Sequence, residues 1–220
     1  MSIVQQIPRQ KRYLHSKFIR EQLMESPDFK IWCLEESPLS YLVTWETKRM
    51  ASMFGRTACL DQHLPQLIGK YNFYDMEPET EAHFLERFGE FVDEGYRRVE
   101  QRLYVHSATQ PMSPPAKSSI QIHTIIEGVA KTYEAQTANG LVLGQVKVEP
   151  VMRGTYLISD LLVQNEYRKK GIGRWLMQQA MIREGGTAFL HVQKDNKAAI
   201  ALYEQLGFEY KYNCTNYVLR

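Results

Sequence analysis

The residues from Val163 to Arg174, VQNEYRKKGIGR, combine types and spacings that could bind an anion. They stand between an apolar run, Tyr156 to Val163, and a segment in which Ile172, Trp175, Leu176, Gln179 and Ile182 recur at helical spacing. The first reads as a strand buried on both faces and the second as a helix over Gly171 to Arg183. The first turn of such a helix presents unpaired backbone N–H groups and the positive end of its dipole. Glycines at 171 and 173 remove side chains that would keep an anion from those amides. Arg168, Lys169, Lys170 and Arg174 add positive charge beside them, and a diphosphate suits the whole. A P-loop is excluded, because no Gly-x-x-x-x-Gly-Lys followed by Ser or Thr occurs. The dinucleotide fingerprint fails as well, because position 176 is Leu. A second stretch pairs Asn196 with Tyr203. Seven residues are about two helical turns, so both lie on one face of the helix expected from Asn196 to Leu206, which Asp195 or Asn196 caps.

The elements that must position these residues are mostly strands. Ile120 to Ile126 and Lys131 to Thr137 alternate, Asn139-Gly140 is a tight-turn signal, and Leu141 to Val148 follows as a hairpin partner. Ala188 to Val192 reads as a strand, and Phe208 to Tyr212 and Asn216 to Leu219 as two last ones. This is an α/β arrangement with a mixed sheet. The N-terminal part looks mainly helical. Helices are expected over Lys11 to Met24, Thr47 to Ala58, Asp61 to Lys70 and, opening at Pro78 among acids, Glu77 to Val105. Ile31 to Leu34 and Tyr41 to Trp45 are strand candidates. Ser107 to Ser119, with Pro111, Pro114 and Pro115, reads as a linker. The expected division is a mainly helical region 1–107, a linker 108–119 and an α/β domain 120–220. No internal repeat is visible.

Composition narrows the function classes. Apolar residues make up 44% of the 220 and charged ones 24%, which allows a real core and excludes wholesale disorder. The net charge of +2 is too small to argue for nucleic acid or a membrane surface. Arg9, Lys11, Arg12, Lys17 and Arg20 read as a solvated helix face. No stretch approaches the roughly 18 consecutive apolar residues of a membrane span, and the first residues lack a signal-peptide pattern. Cys33, Cys59 and Cys214 are scattered and odd in number. They suit a reducing, cytoplasmic setting and offer neither a disulfide framework nor a metal site.

Arg168-x-x-Gly171-x-Gly173 resembles the Arg/Gln-x-x-Gly-x-Gly/Ala signature of the GNAT superfamily of acyl-CoA-dependent N-acetyltransferases. The Leu161-Leu162-Val163 strand, Asn165 to Tyr167 leading into the turn, the run from Asn196 through Tyr203 to Gly207-Phe208, and the final Tyr217 to Arg220 resemble it in the same order. The resemblance spans about Val129 to Arg220. It implies a mixed, mostly antiparallel sheet with splayed central strands and flanking helices. It also implies that the amides and side chains of Arg168, Lys169, Lys170, Gly171, Ile172 and Gly173 hold a coenzyme A pyrophosphate. The backbone of Leu161, Leu162 and Val163 would pair with the pantetheine arm like an added strand, and Asn196 would contact that arm. Tyr203 matches the tyrosine that protonates the departing thiolate, a role open to a phenol still protonated at neutral pH.

The implied activity is transfer of acetyl, or another acyl group, from acetyl-CoA or another acyl-CoA to a primary amine, with no metal. A base must take a proton from the attacking ammonium. Asp160 is the first candidate, with Glu134, His123 and His191 behind it. The alternative is a non-catalytic acyl-CoA-binding sensor that kept the fold, which retention of Tyr203 argues against. The acceptor is left open, a nucleic-acid or protein acceptor has no specific support, and a homodimer is permitted. Family members usually carry one strand and two helices before the hairpin. The 107 residues ahead of the linker are longer than that, so they either enlarge those elements or form a separate helical domain.

Overall fold

In the computed structural model, which describes residues 28–36, 39–55, 58–76, 78–107, 119–152 and 154–220, the fold is mixed α/β, with a mostly antiparallel sheet and flanking helices. The chain divides into two compact units. One takes the residues up to Arg102 together with Tyr212–Arg220, and the other takes Leu103–Lys211. The division thus passes through two strands rather than through the Pro/Ser-rich segment, of which 108–118 lies outside the described residues.

The second unit holds β6 (Ile120–Glu127), β7 (Ala130–Thr137), β8 (Val142–Met152) and β9 (Thr155–Val163), then a 3-10 turn (Asn165–Tyr167) and α3 (Ile172–Glu184). β10 (Thr187–Gln193), α4 (Lys197–Gln205) and the start of β11 (Glu209–Leu219) complete it. The strands β6 to β9 form an antiparallel meander, and β10 joins β9 in parallel. The alternation and the Asn139-Gly140 turn had indicated these strands. Gly140 adopts φ 80° and its amide bonds the Thr137 carbonyl at 2.9 Å. Helix α3 buries Ile172, Trp175, Leu176, Met177, Ala180 and Met181. Ile182, expected on that face, is exposed, because the buried stripe follows four-residue steps through 172, 176 and 180. Glu184 closes the helix by accepting from Lys131 Nζ at 2.9 and 3.0 Å and from the Tyr133 hydroxyl, which fixes the end of α3 to β7. The two last strands expected from the sequence are one continuous strand, β11.

The first unit departs further from expectation. Its described elements are β1 (Phe29–Glu36), β2 (Leu39–Trp45), β3 (Met50–Phe54), α1 (Ala58–His63), a 3-10 turn (Leu64–Gln66), β4 (Asn72–Met76), α2 (Pro78–Gly95) and the first part of β5 (Tyr96–Ser107). Where a mainly helical region was expected, the described part of residues 1–107 has five strands and two helices. The helix expected over Lys11 to Met24 lies outside the described residues. The one expected over Thr47 to Ala58 is a turn followed by β3. There the Thr47 amide donates to Asp28 Oδ1 at 3.0 Å, and Arg49 adopts a left-handed φ of 49°. Ala51, Ser52 and Met53 are all buried, and such a short run carries no period to read. The helix expected to reach Val105 stops at Gly95, whose carbonyl accepts the Arg220 amide at 3.1 Å.

Helix α2 is anchored through Glu81, which accepts from Arg98 Nε at 2.6 Å, the Tyr217 hydroxyl at 2.8 Å and Thr215 Oγ1 at 2.9 Å. Burial alone would raise this carboxyl, but the three hydrogen bonds outweigh it and hold the group below the usual carboxylate range.

Candidate functional site

β9 and β10 begin side by side and then part. Thr155, Tyr156 and Leu157 pair with Thr187, Ala188 and Phe189, and no pair follows, although β9 continues to Val163 and β10 to Gln193. On the side away from β8, the backbone from Ile158 to Val163 therefore has no ladder partner on β10. A local cause lies in the pairing with β8. Lys147 opposes Ser159 while Gln145 opposes Leu162, so β9 carries one extra residue there. Asp160 takes it up with a left-handed φ of 50°. Such a bulge bends its strand and raises the local twist.

Gly144 makes this arrangement fit. A methyl group there would lie 2.6 Å from the Leu162 carbonyl oxygen and 3.2 Å from Val163 Cα. These are backbone atoms that can yield only if β9 moves. Gly144→Ala is expected to lower stability by about 1–3 kcal/mol, the usual cost of overpacking. It should also weaken any ligand held by the end of β9. Urea unfolding beside coenzyme A titration checks both, and a variant with wild-type values in each would show that β9 does not depend on this close approach.

Beyond Val163 the chain enters the glycine turn. Arg168 Nε donates to the Val163 carbonyl at 3.0 Å, latching the turn to the strand. Lys169 and Gly171 are both left-handed, at φ 58° and 76°, and Gly171 is the N-cap of α3. The amides of Ile172, Gly173 and Arg174 open the helix with no carbonyl a turn earlier to bind. A methyl group on Gly173 would meet Val163 Cγ2 at 3.5 Å, Leu202 Cδ2 at 3.7 Å and Leu161 Cδ2 at 4.0 Å. The turn is thus packed against both the end of β9 and α4. Arg174 reinforces the second contact by donating to Gln205.

Asn196 settles the capping question, since its Oδ1 accepts the Ala199 amide at 3.2 Å and it is the N-cap of α4. Tyr203 sits on the same helix beside Leu202, 8% exposed, with its ring 5.9 Å from that of Phe208. Its hydroxyl makes no hydrogen bond to a described residue. Burial pushes the phenol upward, so it remains a proton donor.

The candidate bases are dispersed. Asp160 is exposed on the bulge, with the Ser159 hydroxyl 3.5 Å away. Glu134 accepts from Gln136 Nε2 at 2.7 Å and lies 3.5 Å from His123 Nδ1. His191, on β10, stands edge-on to Phe189 at 6.2 Å. Cys214 is buried in β11. Among the described residues no group of three or more His, Cys, Asp or Glu converges as metal ligands. No described helix is long and apolar enough to cross a membrane. Sequence reasoning missed Gly144, Leu202 and Gln205. A glycine inside LVLGQVKV is a signal of close backbone approach that could have found the first.

Residues 127–208 match the acetyltransferase (GNAT) family. Over 55 residues the chain is 38% identical to the N-alpha-acetyltransferase RimI of Mycobacterium tuberculosis, a match covering 24% of this chain and 35% of that protein. The chain therefore spans about a third of the length of this curated relative. Among solved structures it is similar to a GCN5-related N-acetyltransferase-like protein from Streptococcus suis, with a TM-score of 0.63 at 14% identity over 100% of both chains. It is also similar to a tandem GNAT protein from the clavulanic acid biosynthesis pathway, with a TM-score of 0.58 at 12% identity over 93% of this chain and 87% of the other. At these identities the structural likenesses show the fold.

Proposed function

We propose, from the match of residues 127–208 to the acetyltransferase (GNAT) family, that the chain moves an acetyl, or another acyl, group from acyl-CoA to a primary amine by direct attack in a ternary complex. The observation that carries this reading is the parting of β9 from β10 past Leu157, with the glycine turn at the far end of the freed edge. A thioester carrier with a diphosphate needs that pair of features, an amide cradle for the phosphates and an unpaired strand edge for the arm between phosphate and sulfur.

The chain's own residues then divide the work. The amides of Gly171, Ile172 and Gly173, with Arg168, Lys169 and Lys170 around them, hold the diphosphate. The backbone of Leu161, Leu162 and Val163 pairs with the arm, and its donors steady the oxyanion that forms at the carbonyl. Asn196 keeps its Oδ1 on the cap, which leaves its amide nitrogen to contact the arm. Asp160, exposed at the bend of β9, receives the proton of the attacking ammonium, directly or through water. Tyr203 donates its proton to the departing thiolate. When bound, the acyl-CoA supplies an activated thioester and a good leaving group. The acceptor is an amine, and the matched RimI stretch makes a peptide amino terminus one arm of the test. The scattered cysteines suit a reducing compartment such as the cytoplasm.

The test is release of free thiol from acetyl-CoA in the presence of a small amine, an amino acid, a lysine peptide and a peptide with a free amino terminus. We expect thiol release that depends on one of these amines, with the acetylated product seen by mass spectrometry. Coenzyme A binding without turnover across a broad panel would favour the sensor reading, and no binding would overturn both.

A further inference from the structure

The first unit repeats the connectivity of the second. In the second unit β7, β8 and β9 form an antiparallel meander, α3 crosses to the parallel strand β10, and α4 leads to β11. In the first unit β1, β2 and β3 form an antiparallel meander, α1 crosses to the parallel strand β4, and α2 leads to β5. The registers agree as well. Met50, Ala51 and Ser52, the first three residues of β3, pair with Asn72, Phe73 and Tyr74, the first three of β4. Thr155, Tyr156 and Leu157, the first three of β9, pair with Thr187, Ala188 and Phe189, the first three of β10. Seven elements in one order, with the same pairing senses and the same start of the parallel ladder, make a shared frame, although no repeat shows in the residues.

The features that would bind a donor differ at each equivalent place. Strand β3 has five residues and ends at Phe54, two past its last parallel pair, whereas β9 has nine and runs from Leu157 to Val163 beyond its own. The first unit therefore lacks the long unpaired edge. Helix α1 has six residues against thirteen in α3, too short to present an anion-binding start. The seventh residue of α4 is Tyr203, and the seventh of α2 is Phe84. Phe84 is fully buried, its ring 5.1 Å from that of Phe73 and 5.4 Å from that of Tyr217, and it has no proton to give.

We infer that the chain is a duplicated acyltransferase fold with one live donor site, the first unit being a copy that keeps the frame and has lost the carrier edge, the long helix behind the phosphate turn and the proton donor. This rests on the transferase reading of the second unit. Calorimetric titration of the whole protein with coenzyme A should give one site per chain. Hydrogen exchange at saturating coenzyme A should show new protection within residues 158–176 and none within residues 50–62. Two sites per chain, or protection in the first unit, would overturn the inference and leave the transferase reading standing. No binding at all would overturn the transferase reading and remove this inference with it.

Discussion

Tyr203→Phe is expected to lower amine-dependent turnover by roughly 10²–10⁴-fold, the usual worth of a positioned general acid, while coenzyme A affinity stays at the wild-type value. The substitution removes one oxygen from a ring that is almost fully buried and packed on Phe208, so the packing of α4 survives. That oxygen has no hydrogen-bond partner among the described residues, so its loss leaves no orphaned protein group and stability should hardly change. A large effect on rate with none on folding or donor binding is the signature of a group used only as the thiolate departs. The pH dependence gives a second reading. Tyr203 works in its protonated form, so turnover is lost as pH rises through its titration, and burial moves that loss above the ordinary phenol range. The alkaline decline should therefore come late in the wild type and lose its Tyr203 component in the variant. A Phe variant that turns over like the wild type would take Tyr203 out of the mechanism.

How much of this was legible beforehand differs between the units, for physical reasons. In the second unit the strands are half-buried hairpins, so alternation and the Asn139-Gly140 turn wrote the pairing into residue types. The glycine turn was legible because its left-handed N-cap at Gly171 and its positive charge both constrain side chains. The bulge at Asp160 was not, since an aspartate can take a left-handed φ without announcing it. In the first unit β3 is buried on every side chain from Ala51 to Met53 and carries no period. Beyond Gly95, Tyr96, Val99 and Leu103 continue the spacing of α2, and only the strand hydrogen bonds show where the helix ends. The likeness between the two units lies in ladder register, which is a property of backbone hydrogen bonds and tolerates nearly any side chain. It therefore left no trace in the sequence.

The two glycines of the turn should respond in opposite ways. Gly171→Val places a β-branched residue at φ 76°, where an L side chain costs about 1–2 kcal/mol. If the backbone relaxes to relieve that cost, the amides of residues 171 to 173 no longer converge on one point. Losing one or two hydrogen bonds to a charged phosphate, at roughly 1.5–3 kcal/mol each, predicts coenzyme A affinity weaker by about 100-fold. Gly173 lies inside the first turn of α3, and a methyl there meets its neighbours at ordinary contact distances of 3.5 to 4.0 Å. That methyl faces Val163, Leu202 and Leu161, so the anion-clearing role the sequence suggested for both glycines falls to Gly171 alone. Gly173→Ala, which also replaces the poorer helix former, should raise stability by about 0.5–1 kcal/mol with donor binding nearly unchanged. Parallel calorimetric titrations and thermal melts of the two variants separate these effects. If Gly171→Val binds coenzyme A as the wild type does, the left-handed cap is not part of the cradle. If Gly173→Ala loses binding while gaining stability, the phosphate lies closer to position 173 than to the amides around Gly171.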